Sequence, residues 1–542
     1  MQFEDILEEV GQFGLYQRLL CFLLIPFTTG LVGIVYYTQL FVLTAPRHQC
    51  HLSSPGSFFD NQQDVFYNHV AHLVNTTEQG APALEPFTCH QYTSNISEDF
   101  SYLLNTTSLD QLPVPGVTCT NGWEYNNTQM FPTFTSESDW VCDAAWQPYM
   151  VVSMFWVGNI IGSWIFGVLT DLIGRRIVTL VSLCLYGVAG VASVFVRNFY
   201  GFLVLRTLVG VSHHTVTHLP FVLVVEYCGV GSRTIPLLTI MISYTMASLI
   251  TPVLAWAIWD WQILLAVSSA PALLIIFAYR WIPESASWQI IKGRSDDARN
   301  QLEKVAITNK RQVPYYMFNQ LVTEMQDQQD SVKSNVTILT VRHYPILRMN
   351  IFLVLVIWML ACLCFYGHCQ NTSNLGSDVF SSYFMGALVE VPSWGVPYII
   401  HRFGRRIPLV TCFMLSGAAS IVYTLIPAEQ LALSICFGML GRMFIAGAYY
   451  ITLQYGPEIF PTVIRGQGVA LCETLGGIAI FTSPMVVYLG EVQRPLPMLI
   501  MGSLSVLAGV ATFLLPETSG VALPQTLAKG EAFLSKQIPT CF

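Results

Sequence analysis

Long apolar runs separated by short polar clusters make up most of the chain. Twelve runs fall near residues 16–43, 147–169, 178–196, 200–224, 234–257, 262–282, 349–369, 379–400, 407–427, 431–455, 466–490 and 495–515. Each approaches the ~20 residues that cross a bilayer as a helix. Lipid offers backbone N–H and C=O groups no partners, so each run must satisfy its own, which predicts α-helices. Two of the polar breaks resemble each other: GVLTDLIGRR at 167–176 and GVPYIIHRFGRR at 395–406.

Composition agrees with lipid as the solvent. Only 11% of residues are charged, against ~25% in soluble domains, and mean hydropathy is +0.52. A net charge of −8 with no basic stripe argues against a nucleic-acid partner. Of 25 lysines and arginines, only Arg47, Arg197 and Arg494 fall in loops on one side, and Arg206 and Arg442 lie inside runs. The other 20 share the opposite side, which the positive-inside rule makes the cytoplasm. Both termini are then expected inside, with no cleavable leader before the first run.

The resulting organisation is a cytoplasmic N-terminus (1–15), the first run (16–43), a large extracellular loop (44–146) and five further spans (147–282). A cytoplasmic linker with short helices (283–348), six more spans (349–515) and a loosely ordered tail (516–542) complete it. The loop carries sequons at Asn75, Asn95, Asn105 and Asn126. It also holds Cys50, Cys89, Cys119 and Cys142, an even number suited to two disulfides of open connectivity in an oxidising compartment. Asn335 is expected to stay bare inside, and Asn371 lies close to the membrane.

The chain repeats itself. Gly174-Arg175-Arg176 recurs as Gly404-Arg405-Arg406, Arg206 as Arg442, Glu226 and Arg233 as Glu458 and Arg465, and Ile-Pro-Glu-Ser at 282–285 as Leu-Pro-Glu-Thr at 515–518. The offsets all fall between 230 and 236. Two parallel six-helix halves are the architecture of the major facilitator fold, an all-α membrane protein of twelve helices. Gly174 and Gly404 permit tight turns. Arg175, Arg176, Arg405 and Arg406 anchor topology at the headgroups. With Asp171, Glu226, Arg233, Glu458 and Arg465 they form a candidate gate whose contacts change as the halves rock. Arg206 and Arg442 are expected to be structural, bonding across helices within each bundle, because a buried arginine is costly unless paired.

These motifs resemble the organic cation, carnitine and organic anion transporter family of the major facilitator superfamily. The resemblance rests on Ser138-Asp139-Trp140-Val141-Cys142-Asp143, Gly167-Val168-Leu169-Thr170-Asp171, Pro283-Glu284-Ser285 with Trp288, and Pro457-Glu458-Ile459-Phe460-Pro461-Thr462. It implies a plasma-membrane carrier of small organic cations or zwitterions that works by alternating access. Leu172, Ala286 and Ser287 depart from the family pattern at gating positions.

An ionisable residue inside a span is a functional candidate by default. Glu390, mid-way along span eight beside Pro392, leads as a substrate carboxylate, with pairing to Arg442 as the alternative. Glu473 in span eleven is second. It stands one turn before Gly477, where the resemblance places the acid of cation-carrying members. His214 shares a helical face with His218, and the pair suits cavity lining, proton carriage or, least, metal binding. Tyr366, Trp358, Tyr244 and Tyr450 are chosen from a larger aromatic set as ring faces for an ammonium group. No cofactor or metal is implied, sodium or proton coupling is left open, and no nucleophile–base pair points to an enzyme. Rival readings are an organic anion carrier and a non-transporting receptor on the same fold.

Overall fold

The computed structural model describes residues 3–50, 89–91, 117–119, 122–276, 281–312, 316–323, 338–375, 378–427, 430–519, 524 and 526–535. The chain forms two compact units, Val42–Pro148 and a helical body of Met1–Phe41 with Tyr149–Phe542.

Among the described residues the body holds ten helices long and apolar enough to cross a membrane. Spans one to five are Leu15–Leu43, Trp146–Ile173, Arg175–Phe195, Phe199–Tyr227 and Thr234–Ile258. Span seven is Pro345–Gln370, and spans nine to twelve are Arg406–Leu425, Leu431–Ile459, Arg465–Val492 and Leu496–Phe513. Spans six and eight are broken. Span six is α-helical over Trp261–Ser269 and tightens to 3₁₀ geometry over Ala270–Ile276, where Pro271 lacks the N–H that an α-helix needs. Span eight runs Val379–Leu388, passes through a 3₁₀ turn at Val391–Gly395 and resumes at Val396–Phe403, with Pro392 and Pro397 at the two joints.

Small residues let the helices approach. A Cβ on Gly158, Gly162 or Gly210 would collide with the carbonyl oxygens of Thr207, Val211 and Phe155 respectively, so spans two and four touch backbone to backbone. Lipid supplies no hydrophobic drive between helices, and close backbone packing takes its place.

The repeated Gly-Arg-Arg turns are built alike. Gly174 and Gly404 have φ of +100° and +82°, where a side chain is strained. Immediately after each, a carboxylate from the end of the same half caps the next helix. Glu284 Oε1 accepts from Arg175 N at 2.8 Å, and Glu517 Oε1 accepts from Arg405 N at 2.9 Å. Each acid also accepts from the following N–H, of Arg176 and Arg406. The negative group meets the positive helix end, where the first N–H groups lack partners. Tyr227 donates to the Glu284 carbonyl, and Tyr455 donates to the carbonyl of Pro516, the residue before Glu517.

The linker contributes helices Ala286–Ile291 and Ser295–Thr308. The N-terminal helix Phe3–Val10 buries Ile6, Leu7 and Val10. Asn309 holds the segment that follows it, donating to Val10 O and to Gln17 Oε1 and accepting from Tyr16 N. The tail is more ordered than expected. Its helix Leu527–Ser535 places Glu531 on the start of span seven, accepting from Leu347 N at 2.7 Å and Ile346 N at 3.1 Å.

In the other unit, His48–Cys50 pairs antiparallel with Trp123–Tyr125, and His90–Gln91 with Val117–Thr118. Disulfides join Cys50 to Cys119 and Cys89 to Cys142. Asn126 is exposed, whereas Asn75, Asn95, Asn105 and Asn335 lie outside the described residues.

Candidate functional site

The seam between the halves is built from aromatic rings. Tyr36 of span one meets Tyr366 of span seven edge-on at 6.0 Å, and Trp156 of span two meets Tyr366 at 4.7 Å. Polar bonds cross the same seam. Gln370 Nε2 donates to Tyr36 Oη at 3.3 Å, and Tyr37 Oη donates to Cys369 Sγ at 3.9 Å. At the end opposite the arginine-rich turns, Phe41 packs on Phe380 and Tyr383, and Tyr149 donates to Glu491 at 2.9 Å. Trp259 stacks on Phe380, and Trp394 Nε1 donates to Thr245 Oγ1 at 3.3 Å. The halves are therefore joined through the middle and at the end away from the arginine-rich turns.

At the arginine-rich end the ion pairs lie within each half. Arg175 meets Glu226 at 3.5 Å, and Arg405 meets Glu458 at 3.1 Å. Arg465 donates to Phe460 O and Thr462 Oγ1, and Arg233 sits at the start of span five. Asp171 is exposed, and Trp288 Nε1 donates to its carbonyl at 3.1 Å. Among the described residues its carboxylate makes no hydrogen bond or ion pair, so the expected latch is not made in this structure.

Glu390 does not stand free in a cavity. Its Oε1 accepts from Arg442 at 2.7 and 3.0 Å, and both side chains are fully buried. Arg442 also bonds Thr372 Oγ1. A carboxylate held this way has its charge cancelled, which removes it as the pole for a cation. Arg206, the repeat partner of Arg442, donates instead to Gln39 Oε1 at 2.6 and 2.9 Å. Both arginines bond across helices, though to side chains rather than to carbonyls. Trp358 is likewise packing: it is buried against Gly456 and Gly476.

Glu473 is placed differently. It lies about a third of the way along span eleven yet is exposed. Among the described residues its carboxylate makes no hydrogen bond or ion pair. Gly476 and Gly477, about one turn further along the same face, pack on Trp358 and Cys362 of span seven and on Ile160 of span two, so Glu473 stands on the face that meets those spans. Tyr366 is half-buried, and Phe365 stacks on Tyr449 at 4.5 Å and 3°. Tyr244 reaches the cluster through Tyr37 at 6.0 Å, and Tyr450 is buried behind it, 6.2 Å from Phe365. Span two closes the other side: Ile160 packs where a Cβ on Gly477 would sit, and Trp164 Nε1 points to Thr474 Oγ1 at 3.5 Å.

The histidines split. His213 is buried among Phe155, Trp156 and Tyr36. His214 and His218 stack on each other at 4.9 Å and 17°, with His218 exposed. His48 approaches Cys89 and Cys142, but both sulfurs are spent in their disulfide, which leaves a single ligand there.

The sequence profile described as "Sugar (and other) transporter" matches residues 116–526. Organic cation/carnitine transporter 2 of Homo sapiens is 30% identical over 535 residues, covering 97% of this chain and 93% of that one. This chain belongs to the sugar (and other) transporter family, in the branch of the organic cation/carnitine transporters. The organic cation transporter protein of Drosophila melanogaster is 28% identical, covering 99% of this chain and 96% of its own. Among solved structures, the inward open conformation of the xylose transporter XylE from E. coli matches with a TM-score of 0.56 at 14% identity, over 94% of this chain and 99% of that one. That likeness shows the major facilitator fold. Membership makes the chain a multi-pass membrane carrier of small organic solutes rather than an enzyme, and one that needs no cofactor.

Two functional groups were not assigned a role from sequence. Glu284 and Glu517 appear there only as parts of repeated motifs. Their matching positions just after spans six and twelve were the available signal.

Proposed function

We propose that this protein carries small organic cations or zwitterions across the plasma membrane by alternating access, with Glu473 as the negative pole of its central site. One observation carries the reading: an exposed carboxylate within a span, with no partner among the described residues, on the face that packs against span two and the tyrosine-bearing span seven. A carboxylate and tyrosine faces together attract an ammonium and repel an anion. Arg206 and Arg442, well inside spans four and ten, are both buried and engaged, which counts against an anion site. The names of the relatives support the same class of solute.

The arginine-rich turns face the cytoplasm in this reading, with both termini inside and the disulfide-bonded loop outside. The seam joined at the end away from the arginine-rich turns then corresponds to a site shut toward the exterior. Rocking would open that end and bring the arginine clusters of the two halves together. Entry of a monovalent cation releases ~2.3 kcal/mol per 100 mV of inside-negative potential, enough to drive accumulation without a coupled ion.

Uptake of tetraethylammonium into proteoliposomes tests the site. Glu473→Gln is expected to lower uptake at least tenfold, and Glu473→Asp to retain part of it. Wild-type rates in Glu473→Gln would refute the assignment.

A further inference from the structure

His214 and His218 sit mid-way along span four, a helix of 29 residues, on one face. The rings stack at 4.9 Å and 17°. Among the described residues, neither ring makes a hydrogen bond. His218 has a further ring neighbour in Phe221, 6.3 Å away. Their neighbour His213 shows the contrast, since it is packed into the core by Phe155 at 4.9 Å and Trp156 at 5.6 Å. Polar ring edges without protein partners are expensive at this depth unless water or a ligand meets them.

Span two links this pair to the opposite half. Asn159 Oδ1 accepts from His214 N at 3.1 Å. The next residue, Ile160, packs against Gly477, and Trp164 reaches Thr474, the neighbour of Glu473. Span four, which carries the imidazoles, and span eleven, which carries the carboxylate, therefore both pack on the same stretch of span two, one from each half. Among the described residues the imidazoles and the carboxylate make no bond to each other.

We propose that the His214–His218 pair is a specificity determinant: it hydrogen-bonds the oxygen-bearing end of a substrate whose ammonium sits at Glu473. Each imidazole offers an N–H donor and a ring-nitrogen acceptor, which suits a hydroxyl or a carboxylate. A cation with no oxygen gains nothing from the pair. The inference rests on the site proposed above and adds a second pole to it.

The test compares two probes in proteoliposomes of the full chain, tetraethylammonium and carnitine, the latter carrying a hydroxyl and a carboxylate. His218→Leu is expected to raise KM for carnitine about tenfold, the equivalent of one lost buried hydrogen bond, and to leave KM and kcat for tetraethylammonium unchanged. His218→Gln, which keeps a donor and an acceptor, is expected to recover most of the carnitine affinity. Equal changes for both probes, or none for either, would overturn the proposal. Loss of both probes in both variants would make the pair structural and overturn it as well. Glu473→Gln reports separately, since it should weaken both probes. If it does not, the site reading fails whatever the histidines do.

Discussion

Glu390 Oε1 lies 2.7 Å from Arg442 Nη2, and neither side chain is exposed at all. The pair ties the broken span eight to span ten beside the 3₁₀ turn at Val391–Gly395. Removing one partner leaves an unpaired charge inside the second half, which typically costs 3–5 kcal/mol. Glu390→Gln or Arg442→Met is therefore expected to lower thermal stability sharply in detergent. The double replacement should recover much of the loss, because it leaves no orphaned charge. Additive losses in the double-mutant cycle would show that the two side chains act independently.

Glu517 makes stability sensitive to acid. Burial pushes its carboxyl up, but the N–H groups of Arg405, Arg406, Ser519 and Thr518 outweigh that and hold it below the usual carboxylate value. A depressed carboxyl stabilises the fold above its unfolded value, near pH 4.3, and loses that contribution as pH falls through the folded value. Melting temperatures measured from pH 7 to pH 3 should fall at the acid end. Glu517→Gln should be less stable at pH 7 and show a shallower fall below about pH 4. Parallel curves for the two proteins would exclude this role.

Two glycines in span two should respond in opposite ways. Gly162 faces the Val211 carbonyl, and Gly167 has nothing within 4 Å of an added Cβ. Gly162→Ala is expected to cost ~1–3 kcal/mol by forcing spans two and four apart. Gly167→Ala is expected to be neutral or stabilising by up to ~1 kcal/mol, as alanine favours the helix. Thermal denaturation of the two variants side by side measures the contrast.

The loop unit gives a prediction about modification. Asn126 is exposed, and Thr128 of its sequon donates to its side chain from both N and Oγ1. Asn371 is buried, and Thr372 of its sequon is held by Arg442. In eukaryotic cells, Asn126→Gln should remove one glycan's worth of mass on a gel, and Asn371→Gln should remove none. A shift for Asn371→Gln would place that segment away from Arg442 while the chain is being glycosylated.

The fold was legible because lipid imposes length and composition on every span, and because a duplicated chain repeats its punctuation. The Gly174 and Gly404 turns follow from that repeat, whereas the ion pairs of Glu226 with Arg175 and Glu458 with Arg405 do not, since the repeat matches Glu226 and Arg233 with Glu458 and Arg465. The breaks in spans six and eight were less legible, since Pro271 and Pro392 can sit within a continuous helix. The ranking of the two acids was not legible at all. Glu390 and Glu473 are each one carboxylate in an apolar run. Only three-dimensional packing shows Arg442 against the first and open space beside the second. The same holds for the histidines, where one step along span four separates a core ring from a stacked, unbonded pair.

Arg206 donates to Gln39, a neutral side chain, where Arg442 has the anion Glu390. The duplicated ancestor's symmetry is thus broken in charge though kept in shape. The first half therefore buries a positive charge that only a neutral side chain meets, whereas at the matching position of the repeat the second half buries a closed ion pair.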